Sequence, residues 1–212
     1  FIKVKKNIIN KKINVNHINA IENKALGIYK SMNFGINKSR GEFIIFMNSG
    51  DLFYNRDSIM KLYNGIKLLN EELSFCFGQA EIISKIGITW FLPGKNIKDI
   101  NRWLQFMLPN HQSMMVSRRL AFKVKFNELC YSGADGIWKR ELFISANKWT
   151  FIKEPVAKFY IGGLSTSRPK FYQLKIHLKN KYLSKIEKII YIAKFFIPVP
   201  FYKYVAFLQK IK

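Results

Sequence analysis

The chain has 212 residues, enough for one sizeable domain with a real core and too few for two large ones. Apolar residues make up 49% of it and aromatics 16%, which argues against a disordered chain even at a formal net charge of +23. That charge attracts nucleic acid, anionic lipid and phosphorylated small molecules alike, so it selects none of them. Abundant Lys, Asn and Ile also match an AT-rich coding bias, which weakens the charge as a sign of nucleic-acid binding.

The sequence opens FIKVKKNIIN, without an initiator Met, a signal-peptide apolar stretch or a small-residue cleavage site; this points to a processed N-terminus or part of a longer reading frame. In GIYKSMNFGINKS, Ile28, Met32 and Ile36 recur at helical spacing. This helix is predicted to feed a strand, EFIIFM, which is apolar throughout and so expected to be covered on both faces. After the loop NSGD, Ile59, Leu62, Tyr63, Ile66 and Leu69 mark a second amphipathic helix. SFCFGQAEII and GITWF read as strands and IKDINRWLQF as a short helix; HQSMMVS reads as a strand, followed by the helical SRRLAF. A helix beginning near GADGIW presents Trp138, Leu142 and Ala146 on one face, and WTFIKEPVAKFYIGG is extended up to its paired glycines. This succession predicts an α/β protein with a mixed, mostly parallel sheet over residues 1–168, and a tail of different character over 169–212.

Asp51 ends the loop after a predicted buried strand, at the carboxyl end where open α/β sheets bind ligands. A carboxylate there suits a hard divalent cation that also bridges phosphate oxygens, and Gly50 lets the backbone turn tightly. A helix or turn N-cap explains Asp51 equally well. Asp135 in YSGADGIWKREL is readable as an N-cap or as a general base at a helix N-terminus. His111, in LPNHQSMMV, stands before an apolar strand and is either a hydrogen-bonded structural residue or a ligand. Gly162 and Gly163, followed by Ser165 and Thr166, suit a plain turn or a phosphate-contacting loop. Cys76 and Cys130 lack the spacing of zinc or redox sites, lie beside aromatics, and read as core thiols of a reducing cytoplasm.

In order, these strings resemble the family 2 glycosyltransferases of GT-A fold, and more narrowly the bacterial subgroup that builds capsule, exopolysaccharide or O-antigen. The residues that carry the resemblance are Gly27, Ile28, Tyr29, Met32 and Asn33, then Asn48 and Asp51, His111 and Gln112, Ala134 and Asp135, and Gly162, Gly163 and Ser165. The resemblance implies that Asp51 is the surviving acid of a D-x-D-type motif holding Mn²⁺ or Mg²⁺ against the diphosphate of a nucleotide-sugar donor. It implies that Asp135 is the base that deprotonates the acceptor hydroxyl, a step worth roughly 10²- to 10⁴-fold, with inversion at the anomeric carbon. The same comparison places Asn48, His111, Gly162 and Gly163 at the donor site, with His111 contacting the metal or the diphosphate.

The departures are specific. The metal loop offers Asn48 and Ser49 before its single acid, ENKALG keeps only Glu22 of an acidic string, and Gly136 and Ile137 follow Ala-Asp in place of Tyr-Asp. The family's opening Thr-x-Tyr-Asn strand and its Asp-Gly-x-Ser-x-Asp-Gly string are not found. The sequence therefore reads as an N-terminally truncated GT-A domain, expected to turn over little or no donor by itself. A degenerate domain that only binds a membrane or a partner is the rival reading.

Over residues 169–212, Leu174, Leu178, Tyr182, Ile186 and Ile190 form a stripe on a lysine-rich helical segment. Lys194, Lys203, Pro198 and Pro200 interrupt the most apolar window, so an interfacial helix on an anionic membrane is expected rather than a spanning one. A tail helix packed on the domain with a solvated lysine face explains the same pattern. The membrane reading agrees with a saccharide or lipid-linked saccharide acceptor and with a peripheral place on the cytoplasmic face of the cell membrane. No helix-turn-helix, zinc or RNA-recognition string is present, and no nucleic-acid partner is expected.

Overall fold

A computed structural model describes residues 27–84, 86–130 and 133–161, together with 174, 175, 178, 179, 185, 188, 189 and 192. Helix α1 (Ile28–Lys38) leads to strand β1 (Phe43–Ile44), and the loop after it to β2 (Leu52–Phe53) and α2 (Ser58–Lys67). Then come β3 (Ser74–Ile83), β4 (Thr89–Leu92), α3 (Ile100–Leu104), a 3₁₀ turn (His111–Ser113) and β5 (Met114–Ser117). Helices α4 (Arg118–Lys123) and α5 (Ala134–Ser145) and the long strand β6 (Lys148–Tyr160) complete the order.

The six strands form one sheet in the order β1-β5-β3-β6-β2, with β4 also paired to β3. The sheet is mixed rather than mostly parallel: among the described residues only β3 and β6 run parallel, and the other pairings are antiparallel. Connections decide this. Hydrogen bonds from the Ser84 N–H to the Ile88 carbonyl and from the Gly87 N–H to the Ser84 carbonyl, with Gly87 at φ 81°, return β4 along β3 as a hairpin. The β3-to-β6 connection instead carries α3, α4 and α5, the length of crossover that a parallel pair needs. The six-residue buried strand expected over EFIIFM is also corrected, since β1 has two residues and is half-buried. Its described pairing is to β5 alone, so it lies at an edge of the sheet.

Successive residues of β3 alternate faces and so supply two core layers. Phe75 and Phe77 pack with Met32 and Ile36 of α1, Leu120 of α4 and Trp138 and Leu142 of α5. Cys76 points the other way, onto Leu62 and Ile66 of α2 with Met115 and Val156. The sheet is thereby covered on both faces by helices. Trp138 stacks on Phe126 at 4.4 Å between ring centroids and donates its indole N–H to the Val124 carbonyl at 3.0 Å. Cys76 and Cys130 are both free and buried.

Most of the segment 169–212, including Tyr182, Ile186 and Ile190 of the expected stripe, lies outside the described residues. Within it, Leu174 is buried, Leu178 is half-buried, and Lys175, Lys179 and Lys185 are exposed, all in helical conformation. Among the described residues no helix is long and apolar enough to cross a membrane.

Candidate functional site

The loop between β1 and β2 closes as a turn in which the Asp51 N–H donates to the Asn48 carbonyl at 3.1 Å. Gly50 takes φ 92°, the left-handed region where a side chain is strained, so the turn needs a glycine there. Asp51 then enters β2, which pairs antiparallel with the end of β6. The Tyr160 N–H donates to Asp51 Oδ1 at 3.0 Å, and the Gln112 side-chain amide donates to Oδ2 at 2.5 Å. A helix-cap reading of Asp51 therefore does not apply; α2 has Asp57 at its N-cap instead.

Asn110 caps the 3₁₀ turn by accepting from the Gln112 N–H at 2.9 Å, which sets His111 and Gln112 side by side under the cleft. His111 Nε2 lies 3.2 Å from the Asn48 side-chain nitrogen. With that amide donating, the imidazole proton sits on Nδ1, which faces Asp135 Oδ2 at 3.7 Å. Asp135 is the second residue of α5, whose N-cap is Gly133 at φ 82°, so it is a first-turn acid rather than a cap. Lys139, one turn on, reaches Asp135 Oδ2 at 3.4 Å, and the Tyr29 hydroxyl donates to Oδ1 at 3.4 Å.

Burial pushes the Asp135 carboxyl up, but the Lys139 ammonium and His111 outweigh it and hold the acid well below the ordinary carboxylate range. The group is an ionised, cation-bound carboxylate. Burial, and after it the charge on Asp135, push the Tyr29 phenol far above its usual value, so it stays protonated and able to donate.

Asn48, Asp51, His111, Asp135 and Lys139 line one cleft of about 720 Å³, walled on its apolar side by residues of α1 and by Phe159. Four of the residues singled out from the sequence thus meet in space, although 87 positions separate Asn48 from Asp135 in the chain. Gly162 and Gly163 lie outside the described residues. Sequence reasoning missed the parts played by Gln112, Tyr29 and Lys139. The Asp135–Lys139 spacing of i, i+4 was the available signal for one of them. Nothing local marks a tyrosine 106 positions away as a partner of Asp135.

Among the described residues no three His, Cys, Asp or Glu side chains come together as a metal-binding group. Of the two described acids in the cleft, Asp51 is the one with the character of a cation ligand. Both its oxygens accept from neutral donors, no described Lys, Arg or His side chain neutralises it, and each oxygen keeps a second lone pair. That suits a hard ion bound through one carboxylate with the remaining positions filled by phosphate oxygens and water. For His111 to ligate a cation, its contact with Asn48 or with Asp135 must open.

No protein-family profile and no curated protein sequence matches this chain. Solved structures do. TarS of S. aureus, residues 1–349, superposes with a TM-score of 0.58 at 16% identity, over 92% of this chain and 57% of that one. The complex of the same segment with UDP-GlcNAc gives a TM-score of 0.62, covering 58% of that chain. The two chains share a fold. TarS 1–349 has also been solved with UDP, and the longer TarS structure gives a TM-score of 0.57 with 34% of its chain covered. This chain therefore spans a little over half the length of the TarS 1–349 segment it matches.

Proposed function

We propose that this chain is part of an inverting glycosyltransferase that moves a sugar from a nucleotide-diphosphate donor to a saccharide acceptor. The observation that carries the reading is the convergence of Asp51, Asn48, His111 and Asp135 on one cleft at the end of the sheet. Its fold likeness to a protein crystallised with UDP-GlcNAc and with UDP supports a nucleotide-sugar donor.

Asp51 is the residue to hold a divalent cation, Mn²⁺ or Mg²⁺, against the donor diphosphate. A cation bound there supplies Lewis acidity that stabilises charge on the leaving diphosphate. Asn48 holds His111 through its Nε2, and His111 can contact the metal or the diphosphate once its contact with Asn48 or with Asp135 opens. Asp135 takes the proton of the acceptor hydroxyl as that oxygen attacks the anomeric carbon. Lys139 and His111 hold it ionised and so able to accept a proton, at a cost in base strength, since the same groups stabilise the carboxylate. A single displacement from the face opposite the leaving group inverts the configuration. The lysine-rich segment over 169–212 fits a lipid-linked acceptor used on the cytoplasmic membrane face.

Calorimetric titration of UDP into the protein, with MnCl₂ and with EDTA, tests the donor half. Binding is expected with Mn²⁺, to be lost with EDTA and in Asp51→Asn, and retained in Asp135→Asn. Failure to bind UDP with Mn²⁺ or with Mg²⁺ would overturn the reading in favour of a domain that only binds a membrane or a partner. Co-sedimentation with anionic vesicles, abolished at high salt, is the corresponding test of the membrane surface.

A further inference from the structure

Asp135 has more donors than a first-turn acid requires. Its Oδ1 accepts from Tyr29, and its Oδ2 faces both Lys139 and His111. Tyr29 comes from the first turn of α1, is itself buried, and also accepts the Ala134 N–H on its hydroxyl oxygen at 3.1 Å. That oxygen is thus taken by the amino end of α5, and the phenolic proton has Asp135 Oδ1 as its described acceptor. Gly133 supplies no side-chain cap at this helix end, so the phenol fills that place from the far side of the core. Lys139 is only 9% exposed, lines the cleft, and has Asp135 as its described ion-pair partner.

We propose that Tyr29 and Lys139 are positioning residues that clamp the Asp135 carboxylate from its two oxygens and fix its rotamer toward the cleft. The inference rests on Asp135 being the base of the proposed transfer. A carboxylate on a helix surface turns about two side-chain bonds. Here the phenol, fixed through α5's own backbone, restrains one oxygen, and an ammonium from the next turn restrains the other. Each donor therefore removes a degree of freedom that proton abstraction from a bound hydroxyl depends on. Neither residue has to touch the sugar.

Two readouts test the clamp on the whole chain. Three-bond couplings in ¹³C,¹⁵N-labelled protein report the Asp135 χ1 distribution. One rotamer is expected in the wild type and averaging in Tyr29→Phe and in Lys139→Met, with α5 amide resonances otherwise in place. Lys139→Arg, which keeps the cation, is expected to restore the single rotamer and shows that any loss in Lys139→Met is not simple unfolding. Any donor turnover the chain retains is expected to fall about 10- to 100-fold in Tyr29→Phe, and not to fall further when Tyr29→Phe is added to Asp135→Asn. A single Asp135 rotamer in both Tyr29→Phe and Lys139→Met overturns the clamp. If instead Asp135→Asn turns over donor as well as the wild type, the transferase assignment of Asp135 fails while the rotamer result still reports on the clamp itself.

Discussion

Replacing Asp51 separates its structural work from any role with a ligand. Asp51→Asn keeps an acceptor for the Tyr160 N–H but turns an amide toward the Gln112 amide, donor against donor. Gln112 can answer by flipping, which brings in Oε1, an atom with no hydrogen-bond partner among the described residues. The flip leaves the Gln112 amide nitrogen in the unpartnered place instead, on a side chain that is 0% exposed. The net loss is a charge-assisted bond replaced by a neutral one, plus an unpartnered buried acceptor replaced by an unpartnered buried donor, about 1–2 kcal/mol in all. Asp51→Ala removes both acceptors, orphaning the buried Gln112 amide at about 1–3 kcal/mol and, at a smaller cost, the part-buried Tyr160 N–H. Urea unfolding in EDTA, followed by far-ultraviolet circular dichroism and extrapolated to water, measures both. The expected order is Ala below Asn below wild type. Equal stability of Asp51→Ala and Asp51→Asn, or both within about 0.5 kcal/mol of wild type, would refute the account of Asp51 as a fastening between β2, the 3₁₀ turn and β6.

Trp138→Ala is expected to cost about 3–5 kcal/mol by the same measurement, since the ring is 1% exposed and stacked in the larger core. A Cβ at Gly78 would stand 2.7 Å from the Val156 side chain and 2.9 Å from the Glu154 carbonyl, both on the adjoining strand. Gly78→Ala is therefore expected to destabilise more than an exposed Gly→Ala change and to expose β6 amides to hydrogen exchange. Burial pushes the Cys76 thiol up to about 12, and burial followed by the Asp135 charge pushes Cys130 up to about 11. Above an unfolded thiol value of about 8.5 the unfolded chain releases protons that the native chain keeps, so stability is complete below that pH and lost as pH rises toward 11 and 12. The urea midpoint is expected to fall from pH 9 upward and to fall less steeply in Cys76→Ala. Native-state iodoacetamide labelling at pH 8 is expected to be far slower than that of a free thiol.

Strand β3 was legible to the residue as SFCFGQAEII, and the helix faces carrying Met32, Ile36, Trp138 and Leu142 were legible from their spacing. The amphipathic stripe of α2 was half right. Leu62 and Ile66 are buried, but Ile59 and Tyr63 remain on the surface, because only one flank of that helix meets the sheet. Strand direction was not legible, since parallel or antiparallel pairing follows from where the chain crosses over. The extent of β1 escaped for a related reason, its apolar residues saying nothing about which edge they meet. At the site, Asp51, His111 and Asp135 were visible as polar residues at element ends, yet what each one touches was not. The partners of Asp51 come from Gln112 and Tyr160, 61 and 109 positions away, and no local pattern records such distances.

That last bond has a consequence for the order of assembly. Asp51 and the strand that restrains it are made far apart in time, because the chain is synthesised from its amino end at roughly 5–20 residues per second. Until β6 is complete, β3 lacks its parallel neighbour and the Asp51 carboxylate lacks the Tyr160 amide. The cleft therefore has its full set of contacts only after Tyr160 has been added. A chain halted before Tyr160 lacks the amide from which Asp51 Oδ1 accepts, so its β1–β2 loop is not fastened to the end of β6.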